Sequence, residues 1–261
     1  MIRRRSFLTM AAAAGAASMT GTKAAIAGAG PRGREYYELR AYEMETEAQK
    51  TGLLEFWGEA AIPAYKRIGV NPVGVFVLPE ALSPVYVLLP HPSMESVATA
   101  TEKLLADDAF LTKGAEFLDA PASRPAYKRI ESRLLKAFTG MPELERPAES
   151  GTRVFQLRTY ESPSIKTGQK KIEMFNTAEI AIFRKVGLNP VFFGESLIGT
   201  KMPNLTYMLG FENADAQKAA WDAFRADPDW LELSAKPEYA NERILCGITN
   251  IVLRPAECSQ V

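Results

Sequence analysis

Two stretches of this chain are written twice. Tyr37-Glu38-Leu39-Arg40-Ala41-Tyr42-Glu43 returns as Phe155-Gln156-Leu157-Arg158-Thr159-Tyr160-Glu161, and Gly69-Val70-Asn71-Pro72-Val73 returns as Gly187-Leu188-Asn189-Pro190-Val191, both at an offset of 118. At that same offset Ile62 faces Ile180, Tyr65 faces Phe183, and Lys66-Arg67-Ile68 faces Arg184-Lys185-Val186. Farther on, Tyr86 aligns with Tyr207 and Ala106-Asp107 with Ala226-Asp227, at offsets of 121 and 120, which places a small insertion before Tyr207. A shared order at a nearly constant spacing is the mark of a tandem duplication. The copies span 34–138 and 152–256, joined by a Pro-, Gly- and Glu-containing linker at 139–151.

One copy is read best from both sequences together. Residues 36–42 and 154–160 alternate and are rich in Tyr, Phe, Leu and Val, which predicts a strand. Leu53, Trp57, Ala61, Ala64 and Ile68, with Ile172, Phe175, Ile182 and Val186 in the second copy, step by three and four residues as an amphipathic helix does. Gly69 and Gly187 end that helix, with Pro72 and Pro190 close behind. Residues 73–78 with 85–89, and 191–197 with 205–211, read as hairpins. Ser93 and Asn213 suit the N-cap of a second helix, and Asp227-Pro228 opens a further short one. A last strand lies near 130–135 and 244–253. The order β-α-β-β-α-β is the ferredoxin-like unit. Its strands are apolar on both faces in places, as at Val75-Phe76-Val77 and Val191-Phe192-Phe193, so the face away from the helices also needs cover. The fold expected is α+β: two tandem ferredoxin-like units packed sheet-to-sheet as an intrachain α+β barrel.

The N-terminus has a different character. Arg3-Arg4-Arg5-Ser6-Phe7-Leu8 precedes an Ala-rich apolar run, and Ala25-Ile26-Ala27 offers a small-x-small cleavage site. The R-R-x-F-L spacing resembles a twin-arginine export signal, so residues 1–27 are expected to be removed and the mature protein to be periplasmic or extracellular. Four of the 31 basic residues and none of the 31 acidic ones lie there, which leaves 27 against 31 in the remainder. A mildly acidic chain lacks the basic face that nucleic-acid binding requires. No other stretch approaches the ~20 apolar residues of a membrane span.

The strand Tyr37-Glu38-Leu39-Arg40-Ala41-Tyr42, the helix end Tyr65-Lys66-Arg67-Ile68-Gly69, and their repetition resemble NIPSNAP domains. The resemblance covers nearly all of the chain after the signal and implies a fold of the dimeric α+β barrel superfamily. That superfamily includes cofactor-independent monooxygenases and haem-degrading enzymes, whereas the NIPSNAP branch has no agreed reaction or catalytic residues. Association of two such chains as a homodimer is a further expectation by fold.

Strand parity puts Glu38, Arg40 and Tyr42 on one face, repeated as Gln156, Arg158 and Tyr160. With the apolar face taken to lie on the helices, this polar face is expected to point into the barrel. There Arg40 and Arg158 bind an anionic or carbonyl-bearing small organic ligand beside Tyr42 and Tyr160, or else Arg40 simply pairs with Glu38. Glu195, on a strand of the second copy, is a further candidate as base or as partner of Arg158. His91, the one histidine, sits between two prolines and reads as an exposed turn residue with a secondary possibility as haem ligand. Trp57, Trp221 and Trp230 read as core or interface residues, and Cys258 as part of a loose tail that leaves its pairing with Cys246 open. There is no G-x-S-x-G, P-loop or G-x-G-x-x-G, and two cysteines twelve apart make no metal motif, so neither a cofactor nor a metal is expected.

Three functions fit: an exported binding protein for a small organic ligand or a partner protein, a cofactor-independent monooxygenase or isomerase working inside the barrel, and a haem-handling protein. A filled apolar barrel favours the first, and a pocket with converging polar groups favours the second.

Overall fold

A computed structural model describes residues 33–148 and 151–261. The expected signal peptide, 1–27, lies outside the described residues. The first repeat runs β1 (Tyr36–Glu43), α1 (Glu47–Phe56), a π-helical turn (Trp57–Ala61), α2 (Ile62–Arg67), β2 (Gly74–Val77), β3 (Val85–His91), α3 (Met94–Leu105), α4 (Asp108–Leu118) and β4 (Arg129–Ala137). The second runs β5 (Val154–Glu161), α5 (Ile165–Met174), a π-helical turn (Phe175–Glu179), α6 (Ile180–Lys185), β6 (Asn189–Ile198), β7 (Asn204–Phe211), α7 (Ala214–Ala226), α8 (Pro228–Ser234), the short α9 (Asn241–Ile244) and β8 (Gly247–Pro255). Helix boundaries follow the caps read from the sequence. Ser93 accepts from the Ser96 backbone N–H at 3.1 Å and Asn213 from that of Ala216 at 2.9 Å. Asp107 and Asp227 cap α4 and α8 in the same way, so the Ala-Asp pair repeated in the sequence is a repeated helix start.

The eight strands close into a barrel in the order β1-β3-β2-β8-β5-β7-β6-β4. Within each repeat the order is that of a ferredoxin-like sheet. The repeats join at two equivalent seams, β2 with β8 and β4 with β6, both antiparallel. The chain beyond β8 is not loose. Ala256 N–H bonds Val75 O at 2.8 Å, Gln260 N–H bonds Val73 O at 2.9 Å, and Val261 is buried with the barrel interior. Cys246 and Cys258 are both free thiols, and the Cys258 Cβ lies against Gly58 in the first repeat.

The strand faces are the reverse of the expectation. Tyr37, Leu39, Phe155 and Leu157 fill the barrel with Phe76, Phe192, Met208 and Leu253, and the Tyr37–Phe192 and Phe76–Phe155 rings meet at 5.0 and 4.9 Å. Tyr42 and Tyr160, with the polar residues of their parity, lie instead beneath the helices, Tyr42 against Leu53, Trp57 and Tyr65 and Tyr160 against Phe175 and Tyr207. Both faces are buried, so the more apolar face goes to the layer that admits no water, the closed interior. Buried side chains of both repeats therefore occupy the barrel interior, and the polar residues expected there stand outside it. The pairing of Tyr86 with Tyr207 also fails: Val87 stands opposite Arg40 as Tyr207 stands opposite Arg158, which places Tyr207 under the helices and Tyr86 on the barrel face.

Among the described residues, no helix is long and apolar enough to cross a membrane and no three His, Cys, Asp or Glu side chains group to hold a metal.

Candidate functional site

Under the helices the two repeats part company, residue by residue. In the first, Arg40 donates to both carboxylate oxygens of Glu38, Nε to Oε1 at 2.7 Å and Nη2 to Oε2 at 2.9 Å. Ser132 adds a hydrogen bond to Glu38 Oε1 at 2.9 Å. Burial alone raises the Glu38 carboxyl, but the approach of His91 and the bonds from Arg40 and Ser132 outweigh it and hold the group at about 2. Trp57 stacks on Tyr65, whose ring centroid lies 5.8 Å from the Arg40 guanidinium. The Arg40 charge is thus neutralised where it stands, and the cleft of about 430 Å³ that this repeat does have lies elsewhere, beside Gln49, Phe56 and Phe117 of α1 and α4.

In the second repeat Gln156 replaces Glu38 and Asn250 replaces Ser132. Gln156 donates to Asn250 Oδ1 at 2.8 Å and accepts from Trp221 Nε1 at 2.6 Å. The amide pair is neutral, so Arg158 has no carboxylate within ion-pair distance among the described residues. Its Nη2 donates to Tyr160 Oη at 3.1 Å, its guanidinium lies 4.8 Å from the Trp221 ring centroid, and its Nε is buried without a partner. Burial draws its proton affinity down, and the Tyr207 and Tyr160 hydroxyls beside it more than restore it. Tyr160 and Tyr207 share a hydrogen bond of 2.9 Å.

Above Arg158 opens a cleft of about 520 Å³, between the outer face of β5 and β8 and the helices α5, α7, α8 and α9. Trp221, Phe224, Trp230 and Tyr160 supply its aromatic walls, and Gln156 and Asn250 its amides. At its base lie Lys171 and Glu179, both almost fully buried and paired at 2.8 Å. The Lys171 ammonium sits 4.7 Å from the Phe175 centroid and 5.6 Å from that of Tyr160. Burial raises the Glu179 carboxyl despite the opposing pull of Lys171 and Arg158. The π-helical turn makes this pair possible. Eight residues along an α-helix leave a side chain roughly 80° out of line, and the wider turn at Phe175–Glu179 takes up that excess. The first repeat has the same turn at Trp57–Ala61 but carries Leu53 and Ala61 at the equivalent positions.

Of the candidates read from the sequence, Gln156, Arg158 and Tyr160 meet in the cleft, whereas Glu38, Arg40 and Tyr42 form the ion-paired counterpart. Glu195 lies outside both; it accepts from Gln169 and does not touch Arg158. His91 is not an exposed turn residue. It ends β3, fully buried, with Nδ1 3.0 Å from Ser96 Oγ and Nε2 3.7 Å from Glu38, beyond hydrogen-bond length. No face of its ring is open to a haem, so the haem reading loses its ligand. Trp221 and Trp230 are cleft walls, and of the three tryptophans Trp57 is the one in the core. Lys171 and Glu179 escaped a reading by motif. The signal that finds them is the repeat itself, which places a lysine opposite Leu53 and a glutamate opposite Ala61 on a buried helix face.

The NIPSNAP family model matches residues 155–260, nearly all of the second repeat. Among curated proteins no sequence match is found. A protein from Lactobacillus acidophilus provisionally assigned as a monooxygenase superposes with a TM-score of 0.58 at 10% identity, over 85% of this chain and 94% of its own. A second protein with the same provisional assignment, from Fusobacterium nucleatum, gives 0.57 at 7% identity over 85% and 93%. At these identities the likeness establishes the fold. An uncharacterized NIPSNAP-like domain protein from Burkholderia xenovorans aligns over 40% of this chain and 86% of its own, at 20% identity and a TM-score of 0.36.

Proposed function

Taking residues 155–260 as a NIPSNAP domain, we propose that the protein binds a small organic anion with a flat apolar body in the cleft of its second repeat. One observation carries this reading: Gln156 stands where the first repeat has Glu38, so Arg158 lines the cleft with no carboxylate within ion-pair distance among the described residues, its Nε buried without a partner. A guanidinium presents paired donors to a carboxylate, and the walls of Trp221, Phe224 and Trp230 suit an aromatic or conjugated body. The filled barrel supports binding beneath the helices and argues against chemistry inside the barrel. The monooxygenase or isomerase reading keeps one support, the buried Lys171–Glu179 pair at the cleft base. We further propose export through the twin-arginine route, on the strength of Arg4-Arg5-Ser6-Phe7-Leu8 and Ala25-Ile26-Ala27.

Native mass spectrometry of protein recovered from its own host tests both. A bound small acid is expected, lost on Arg158→Met and kept in the Glu38→Gln/Arg40→Met double variant. Retention of the acid by Arg158→Met would remove the cleft from consideration. The expected mature mass begins after Ala27, and Arg4→Lys/Arg5→Lys should hold the protein inside the cell.

A further inference from the structure

A buried ion pair is an expensive way to fill a helix-sheet layer, because two charges must be stripped of water. The first repeat shows that the fold does not need one, since Leu53 and Ala61 occupy the same two positions. The pair exists where the cleft exists. Lys171 and Glu179 line its base. Lys171 Nζ donates to Glu179 Oε2 at 2.8 Å and to Met174 Sδ at 3.3 Å. Lys171 thus holds the Glu179 carboxylate through Oε2, with Oε1 as its second oxygen.

We infer that Glu179 is the base of a proton-transfer reaction in this cleft, acting on a carbon acid whose carboxylate Arg158 holds. The inference rests on the binding role proposed for the cleft. Its substrate class follows from three features. Arg158 calls for a carboxylate. The aromatic walls call for a flat, apolar body. Among carbon acids, those beside a carbonyl suit a carboxylate base, because the electron pair left behind has an oxygen to move to. An aromatic 2-oxo acid meets all three. Its C3–H bond breaks and the proton passes to Glu179 Oε1. The C–H electron pair becomes the C2=C3 double bond, and the carbonyl π pair moves to oxygen as an enolate. Lys171 and Arg158, the two cations beside Glu179, favour that negative charge. Protonation of the enolate oxygen gives the enol; when the Glu179 proton is first traded for a deuteron of the solvent, delivery of that deuteron to C3 exchanges the hydrogen. No oxidant is consumed.

The environment of Glu179 is suited to the task. The charged and titratable groups facing it are Lys171 from its own helical run, Arg158 and Tyr160 from β5 and Tyr207 from β7. Burial sets its proton affinity above that of a solvated carboxyl, which makes the ionised form a stronger base.

Phenylpyruvate serves as the probe. The full chain is mixed with it in deuterated buffer, loss of the C3 proton signal is followed by NMR, and binding is read from tryptophan fluorescence. Wild type should exchange these protons faster than buffer, at a rate that rises with pH as Glu179 ionises above the ordinary carboxylate range. Glu179→Gln should lower the rate at least tenfold while binding stays within about threefold. Because that variant strands Lys171, the double variant Lys171→Leu/Glu179→Ala is measured beside it and should also bind without exchange. Binding by wild type without exchange faster than buffer, or exchange at the wild-type rate by Glu179→Gln, overturns the proton-transfer role and leaves the binding role standing. Absence of phenylpyruvate binding, with Arg158→Met indistinguishable from wild type, overturns both.

Discussion

Glu38 and Gln156 occupy equivalent places and lead to opposite outcomes. The acid neutralises its arginine, whereas the amide turns to Asn250 and Trp221 and leaves Arg158 on the cleft wall with no paired carboxylate. The depressed Glu38 carboxyl has a stability consequence. Its folded value, about 2, lies below the 4.5 of the free side chain, so its contribution is fully present above about pH 4.5 and is lost as pH falls towards 2. The amount is on the order of 3 kcal/mol. Glu38→Gln should flatten this acid limb in a near-UV circular dichroism titration. Glu179, raised in the folded state, acts in the other sense and withdraws stability as pH climbs through its folded value. Lys171→Met should cost about 3–5 kcal/mol, because it leaves Glu179 buried and unpaired. Lys171→Leu/Glu179→Ala, which restores the first repeat's packing chemistry, should recover most of that in urea denaturation. Arg158, Tyr160 and Gln156 could be picked out by strand parity, since their alternation is local. Lys171 and Glu179 could not, because each alone on a helix face looks like an ordinary surface charge.

At the level of elements, Gly69 and Gly187 both end a helical run with φ +82. A Cβ at Gly69 would meet nothing within 4 Å, and one at Gly187 only the Ala220 Cβ at 4.0 Å. Substitution by alanine should therefore cost only the left-handed backbone, about 1 kcal/mol each, readable in melting temperature. A loss of several kcal/mol would point to a clash instead. These glycines, the caps at Ser93, Asn213 and Asp227, and the strand order are visible in the sequence because each is a short-range rule. The direction in which a strand faces is not. Tyr37-Leu39 and Arg40-Tyr42 are both buried, and alternation records that two faces differ without recording which layer each meets. The π-helical turns are equally hidden, for nothing in Trp57–Ala61 or Phe175–Glu179 marks an added residue per turn.

For the molecule as a whole, closure depends on both halves. Residues 33–148 alone would expose the free edges of β2 and β4 and the apolar inner face around Tyr37, Phe76 and Leu135. Residues 151–261 alone would expose β6, β8 and the face around Phe155, Phe192 and Met208. Expressed separately, neither should persist as a folded monomer, and on mixing they should form a one-to-one complex by light scattering. A folded, monomeric half would show that the seams contribute less than their hydrogen bonds suggest.

The duplication within a single chain has one more consequence. In a ring made from two identical subunits, every substitution is made twice, so a change that closes one cavity closes both. Here the two seams are equivalent in topology but encoded independently, and they differ in length, two residue pairs at β2–β8 against four and a bulge at β4–β6. Pairing Arg40 with Glu38 in one half therefore left the cleft over Arg158 in the other untouched. One half was free to become a rigid partner, and the other kept a charged hollow that a symmetric assembly could have kept only in duplicate.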